Sequence, residues 1–252
     1  MGVVFVIKKN KFMLSFEVIT LFPEVFENYL GVSILKRAQE KKKIKIKFHY
    51  LRNFVYDKHK TVDDKPYGGG PGMILKAEPI FRVLKKLVKF EARKNKLKNI
   101  SPETKIVLLS PKGKQFNQNI ADKFSKLKKL ILICGHYEGF DERVKAFVDE
   151  EISIGPFVLT GGELPAMVVI DAVTRLIPGV IKEESLKQES FSFLKGKGGL
   201  PIQRNREYPQ YTRPQILTLK DSFGNIVQLK TPKVLLSGNH QLIQEWRKKH
   251  CF

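Results

Sequence analysis

The residues best placed to do chemistry lie in two short segments. Cys134–Arg143 holds Gly135, His136, Tyr137, Glu138, Gly139, Asp141, Glu142 and Arg143. Ser153–Pro165 holds Ile154, Gly155, Pro156, Phe157, Val158, Leu159, Gly161, Gly162 and Pro165. Each follows a brief apolar run, becomes glycine-rich, and then leads into a stretch with helical patterning. Glycine lets main chain approach closely and bend where a side chain forbids it. Two such loops side by side can line a pocket with peptide N–H and C=O groups. Ser110-Pro111-Lys112-Gly113 ends another apolar run and supplies a third wall.

Other chemistries find less support. The stretch Asp63 to Gly72 is dense in glycine, but no Gly-Lys-Ser/Thr follows, so it is not a P-loop. It also misses the G-x-G-x-x-G dinucleotide spacing. Its crowding with His59, Asp63, Asp64 and Tyr67 still favours a working loop over a plain surface turn. There is no G-x-S-x-G elbow, and Cys134 reads as a small core residue. His59 and His136 are either acid–base groups or loop hydrogen-bonders. Carboxylates are the richer resource: Glu138, Asp141, Glu142, Glu163, Asp171, Glu183, Glu184 and Glu189. Arg175 stands where a cation complements a helix C-terminus.

These groups must be held by something, and the remaining pattern says what. Leu14 to Thr20 reads as a buried strand, and Phe22-Pro23-Glu24 opens a helix to about Glu40, with Val25, Tyr29, Val32 and Leu35 on one face. Ile44 to Tyr50 alternates apolar and polar residues, the period of a half-buried strand. A helix around Ile80 to Val88 precedes a lysine-rich loop to Thr104. Strands at Lys105–Ser110, Lys129–Cys134 and Glu150–Ile154 then alternate with helices at Asn117–Lys126, from Asp141, and at Gly162–Arg175. Such alternation predicts an α/β fold with a mostly parallel sheet covered on both faces. Ligands in such sheets bind beyond the carboxyl ends of the strands, where the three loops lie. Residues 182–214 are polar and aperiodic and read as a linker. Residues 215–252 read as a small helical piece whose clearest element starts near Asn239.

Composition bounds the partner. The 252 residues carry 46 Lys and Arg against 25 Asp and Glu, a formal charge of +21. That field favours a polyanion, most simply nucleic acid, although scattered lysine also fits a generally basic surface. Two cysteines give neither a disulfide framework nor zinc spacing, which suits a reducing, cytoplasmic setting. No apolar run reaches the roughly 18 residues that span a bilayer. The opening Met1-Gly-Val-Val-Phe-Val-Ile is a poor signal peptide and lacks a myristoylation pattern. It is either an added strand or lies ahead of a start at Met13.

Six ordered motifs together closely resemble the bacterial tRNA (guanine-N(1))-methyltransferase family. They are Thr20-Leu21-Phe22-Pro23-Glu24, His59 to Gly72, Leu109-Ser110-Pro111, Gly135 to Arg143, Ser153 to Pro165, and Leu235-Leu236-Ser237-Gly238-Asn239-His240. The resemblance runs from about residue 14 to the helix near 249. It implies the SPOUT superfamily, an α/β sheet with a deep trefoil knot, with residues 1–181 as the catalytic domain, 182–214 as the linker and 215–252 as the tRNA-binding domain. It implies methylation of the guanosine just 3′ of the anticodon from S-adenosyl-L-methionine, bound by Ser110, Pro111, Gly135, Tyr137, Glu138, Gly139, Ile154 to Leu159, Gly161, Gly162 and Pro165. An obligate homodimer, a tRNA partner, and Mg2+ with Glu138 as its candidate site also follow from it.

By the same resemblance, the family's catalytic Asp before Ser-Phe corresponds to Glu189 and its assisting Arg to Arg175. Glu184 is the reserve base. Glu for Asp is a departure that extends the carboxylate by one methylene. His59, Asp63 and Pro71 correspond to the guanosine pocket. The stretch Leu194 to Arg206 reads as longer than usual and basic, and the helices that follow Trp246-Arg247 in the family are shortened, leaving more of the tRNA grip to diffuse charge. Alternatives are a SPOUT methyltransferase of another RNA and a non-catalytic RNA-binding relative.

Overall fold

The computed structural model describes residues 13–191, 193–195, 201–203 and 207–251. The expected strand in residues 1–12 and most of the basic run 194–206 lie outside the described residues. The chain divides into two compact units, the first ending at Lys182 and the second beginning at Glu183.

In the first unit the elements follow in order. Strand β1 (Leu14–Thr20) leads through a single 3-10 turn (Pro23–Phe26) into α1 (Glu27–Leu30), α2 (Ser33–Glu40) and β2 (Ile44–Tyr50). Two-residue strands β3 (Asp63–Asp64) and β4 (Ile74–Leu75) pair around the glycine loop. Then come α3 (Ala77–Leu87), the hairpin β5 (Phe90–Arg93) and β6 (Lys96–Asn99), and the long β7 (Thr104–Gln115). The unit is completed by α4 (Gln118–Ser125), β8 (Lys129–Ile133), β9 (Glu150–Ser153) and α5 (Glu163–Arg175).

Five strands form one sheet in the order β2-β1-β8-β7-β9. Every pairing in it is parallel. Continuous apolar runs such as Lys129-Leu-Ile-Leu-Ile133 suit strands buried on both sides. One face carries Phe16, Val18, Leu130, Leu132 and Ile152 against α2, α4 and α5. The other carries Ile19, Ile106, Leu108, Ile131 and Ile133 against Ile80, Val83 and Leu84 of α3. The parallel α/β architecture expected from the pattern is therefore present.

Several local expectations need correction. The helix expected from Phe22 to Glu40 is broken at Gly31, and the buried stripe is Phe26, Leu30, Leu35 and Ala38. Val25, Tyr29 and Val32, expected to be inward, are exposed. Gly31 caps α1, and the extended backbone of Val32 (φ −124°) then restarts the chain at a new angle. The lysine-rich loop before Thr104 is the β5–β6 hairpin, turned at Lys94, whose φ is +51°. The helix expected from Asp141 is one 3-10 turn (Glu142–Ala146), capped by the Asp141 carboxylate on Arg143 N–H.

In the second unit, residues 182–214 carry α6 (Glu183–Gln188), β10 (Phe193–Lys195) and β11 (Pro201–Gln203), so the expected linker has structure of its own. The piece expected to be helical begins instead with an antiparallel hairpin, β12 (Ile216–Lys220) and β13 (Ile226–Lys230). Helices α7 (Lys233–Leu236) and α8 (His240–Lys249) follow, and Asn239 caps α8 by accepting from Gln241 N–H and Leu242 N–H. Asn239 and the α8 start match the sequence expectation.

A carboxylate sits buried in the sheet. Glu17 of β1 is 2% exposed. Its Oε1 accepts from Ser15 Oγ at 2.8 Å, and its Oε2 lies 2.7 Å from His49 Nε2. Burial pushes the carboxyl up, but the His49 and Ser15 hydrogen bonds and the Lys47 charge outweigh it and hold the group below its ordinary value. A depressed native value stabilises the fold above the unfolded pKa, and this contribution is lost as pH falls through the native one. Urea midpoints of the parent minus those of Glu17→Gln should therefore shrink steadily as pH drops below about 4.5. A difference that stays flat from pH 6 to pH 3 would refute this.

Candidate functional site

Three loops leave the carboxyl ends of the neighbouring strands β8, β7 and β9, and they meet around a cavity of about 350 Å³. The first is an excursion from β7. Leu109 and Lys114 both pair with Ile152 of β9, so residues 110–113 are looped out between two contacts with the same partner. The return is tight: a Cβ on Gly113 would lie 2.5 Å from Ile152 N. Phe116 N–H closes the excursion on Ser153 C=O at 2.7 Å.

The second loop runs from Cys134 to Asp141. It turns through Tyr137 (φ +57°) and Gly139 (φ +116°). It is clamped from outside by the residues after the glycine loop: Glu138 N–H donates to Met73 C=O, Leu75 N–H to Gly139 C=O, and Asp141 N–H to Leu75 C=O. Gly72 lies directly against the Glu138 side chain, 2.5 Å from Cγ to where a Cβ would be. The Arg143 hydrogen bond, chiefly, holds the Asp141 carboxyl below the usual range.

The third loop, 154–162, folds back on itself. Ser153 Oγ bridges Gly155 by donating to its C=O and accepting from its N–H. The Phe157 ring covers Gly155 so closely that a Cβ there would meet it at 2.3 Å. The loop then meets the second one: Gly162 N–H donates to Gly135 C=O at 2.8 Å. A Cβ on Gly162 would sit 2.6 Å from Gly135 N and 2.7 Å from Cys134 Cα.

Behind this crossing, the buried Glu163 at the start of α5 accepts from Thr20 Oγ1 at 2.7 Å. The same Thr20 oxygen accepts from Phe22 N–H, so the end of β1 is tied to α5. Burial, with the Glu163 charge, pushes the Cys134 thiol well up, consistent with an inert core cysteine. His136 packs edge-on to Phe22 and Tyr137, and its Nδ1 is buried with no partner among the described residues.

Of the residues expected to hold a ligand here, Ser110, Pro111, Gly135, Tyr137, Glu138, Gly139, Ile154, Gly155, Phe157, Val158, Leu159, Gly161, Gly162 and Pro165 line the cavity. Pro156 alone does not. Pro71 is exposed on the glycine loop, His59 is exposed in the turn before β3, held by the Asp57 carboxylate, and Asp63 sits in β3; none of the three lines the cavity. Arg175 is the last residue of α5 in the first unit, and Glu189 follows α6 in the second. The backbone just after Glu189 is fixed within the second unit: Ser190 N–H donates to Glu207 Oε1 at 2.8 Å.

Lys145 and Glu151 line the same cavity without having been singled out from the sequence. Lys145 Nζ lies 2.7 Å from Glu142 Oε1 and 3.2 Å from Glu151 Oε2. Glu151 stands beside the Ile152 that pairs twice with β7, a position that periodicity alone does not distinguish. Among the described residues no group of three or more His, Cys, Asp or Glu side chains is placed to hold a metal ion.

Comparison with known proteins adds a name to this geometry. The family profile described as tRNA (Guanine-1)-methyltransferase TrmD matches residues 14–252. A tRNA (guanine-N(1)-)-methyltransferase of Dictyoglomus turgidum is 50% identical over 240 residues, covering 95% of this chain and 85% of that protein. Those of Caldanaerobacter subterraneus subsp. tengcongensis (50% over 236 residues, 93% and 85% covered) and Moorella thermoacetica (46% over 237 residues, 93% and 84% covered) are similar in the same way.

The close crossing of the second and third loops yields a test. Gly162→Ala must separate Gly135 from α5, and overpacking of this kind costs about 1–3 kcal/mol. Its urea midpoint should fall clearly below the parent's. Equal midpoints for Gly162→Ala and the parent would show that the crossing is not tight.

Proposed function

Because this chain belongs to the tRNA (guanine-1)-methyltransferase family, we propose that its cavity binds S-adenosyl-L-methionine and that the bound donor methylates N1 of the guanosine 3′-adjacent to the tRNA anticodon. The chain is an enzyme acting on tRNA, as its relatives are named. The observation that carries the donor assignment is the cavity beyond β7, β8 and β9, walled by main chain at the positions the family motifs mark. When bound, the donor supplies an electrophilic methyl carbon on a sulfonium.

The chain's residues serve that carbon in separable ways. Backbone groups of 135–139 and 154–162 read the adenine edge, and Ile154, Phe157 and Leu159 pack its face. Glu138 on the cavity wall favours a ligand with a cationic group, whereas Asp141 and Glu142 are paired with Arg143 and Lys145. Glu189 takes the proton from guanine N1 on a carboxylate oxygen, and Arg175 stabilises the charge that this leaves on O6. The freed N1 electron pair then forms the new N–C bond as the C–S bond breaks, releasing a neutral thioether, and Glu189 returns its proton to water. His59, Asp63 and Pro71 hold the guanosine.

The finer architecture is part of the same reading. Two pairings of β7 around one excursion, and main chain pressed against main chain at Gly135 and Gly162, support a deep trefoil knot of the SPOUT type in residues 1–181. Residues 182–214 join it to a tRNA-binding domain, 215–252. A homodimer is supported by exposed apolar Val25, Tyr29, Val32, Leu164 and Val168. The Tyr29 hydroxyl, bonded to Asp171, ties α1 to α5 on that side. Magnesium binding through Glu138 is compatible with the site, since Mg2+ keeps most of its waters and needs only one or two carboxylates. No helix among the described residues is long and apolar enough to cross a membrane, and cytoplasmic residence fits the tRNA substrate.

The deciding experiment uses purified protein, labelled donor and transcribed tRNA, with the modified base mapped. Glu189→Gln should lower the methyl-transfer rate by about 10²–10⁴-fold and Arg175→Ala by about 10²–10³-fold. Calorimetric donor affinity should remain near that of the parent in both. Parent-like turnover in Glu189→Gln would remove that residue from the mechanism, and absence of donor binding by the parent would overturn the reading as a whole.

A further inference from the structure

The hairpin that opens residues 215–252 is built as a presenting device. Its strands pair from Ile216↔Lys230 to Lys220↔Ile226. Alternation of side chains across a strand puts Ile216, Thr218, Lys220, Ile226, Gln228 and Lys230 on one face, and Leu217, Leu219, Val227 and Leu229 on the other. The two lysines stand four residue pairs apart, about 14 Å along the strand.

Between the strands the turn is locked by its own first residue. The Asp221 carboxylate accepts from Phe223 N–H, Asn225 N–H and the Asn225 side-chain amide, each at 2.8 Å. Asp221 N–H donates to Asn225 C=O at 2.9 Å, and Gly224 (φ +86°) makes the bend. The Asn225 side-chain hydrogen bond, first among these, holds the Asp221 carboxyl below its ordinary value. The single acidic group of the hairpin is therefore turned onto the turn's own donors.

What this rigid turn presents is a bare aromatic ring. Phe223 is 90% exposed. A phenyl ring so exposed contributes little to the fold, and because the turn already fixes its backbone, binding has only the side chain left to order. Flat aromatic faces beside cationic side chains are how proteins hold unstacked nucleobases: the ring stacks on any base, and lysines meet the flanking phosphates. The hairpin's lysines, on a chain of formal charge +21, suit a polyanionic occupant.

We infer that this hairpin forms an RNA-contacting finger, Phe223 at its tip stacking on an unpaired base of the substrate, with Lys220 next to the turn and Lys230 at the base of the hairpin engaging the backbone along its length. The inference rests on the tRNA reading above and adds a contact that the donor cavity and the Glu189–Arg175 chemistry do not require.

The test measures binding of the full-length protein to transcribed tRNA by fluorescence anisotropy across a salt series. Phe223→Ala should bind about tenfold or more weakly, since stacking on one base is worth about 1–3 kcal/mol. Its salt slope should match the parent's, because no charge is lost. Phe223→Trp should bind at least as well as the parent. Lys220→Gln with Lys230→Gln should instead flatten the slope by about 1.4 for two single-strand phosphate contacts. Donor affinity, measured by calorimetry, should be unchanged in all of them.

Parent-like tRNA affinity in Phe223→Ala, while the parent binds and methylates tRNA normally, would overturn the fingertip and leave the functional reading intact. So would a loss of affinity accompanied by a change in oligomeric state by sedimentation, which would assign the ring to a second copy. A parent that neither binds nor methylates tRNA would overturn both.

Discussion

The site depends on one close approach of main chain to main chain. Gly162 N–H meets Gly135 C=O at 2.8 Å, and neither position leaves room for a Cβ. This contact sets the separation of the two loops that leave β8 and β9, and hence the width of the cavity between them. It also sets where α5 starts, and so where Glu163 meets Thr20 at the end of β1. Arg175, at the far end of the same helix, inherits its position from that start. A side chain at the crossing would displace all of these together.

Around that crossing, each wall is held from outside as well as from within. The excursion of β7 is pinned by two pairings to Ile152, the Cys134–Asp141 loop is laced to Met73 and Leu75, and the third loop is bridged through Ser153. The donors and acceptors left facing the cavity are therefore preorganised, which is what an electrostatic site requires. The buried hydrogen bonds in the neighbourhood run from hydroxyl or N–H donors to carboxylate, carbonyl or hydroxyl acceptors. The unpartnered His136 Nδ1 is the exception and faces the Gly161 backbone, 3.1 Å from where a Cβ would lie.

The fold class and nearly all of the cavity wall were legible in the sequence because both rest on short-range signals. Buried parallel strands leave apolar runs, and bends leave glycine, so β7, β8, β9 and their loops could be ordered from the chain alone. The failures came where a signal has two readings. The apolar residues Val25, Tyr29 and Val32 have helical spacing, but the bend at Gly31 turns them outward and gives the core to Phe26 and Leu30. The polar run before Thr104 hides the β5–β6 hairpin, since Glu91 and Arg93 on one strand and Lys96, Lys98 and Asn99 on the other leave only Phe90, Ala92 and Leu97 to mark the period. The β12–β13 hairpin falls within the stretch 215–252 read as a small helical piece, and its strands are only five residues each, too short for their period-two pattern to stand out. The clamp of Met73 and Leu75 on the second loop could not be foreseen, because nothing local in either segment encodes a contact so distant along the chain.

The hydrogen bond from Ser190 N–H to Glu207 Oε1 joins residues 17 positions apart and closes the neck of everything between them. Chain can be added or removed beyond such a neck without disturbing the residues at its base. The entropic penalty of a longer loop rises only with the logarithm of its length, by about 0.6 kcal/mol per doubling. The peptide following Glu189 is thus insulated from drift in the lysine-rich stretch beyond it. A longer or shorter chain beyond the neck therefore leaves the Ser190 backbone anchored at small cost.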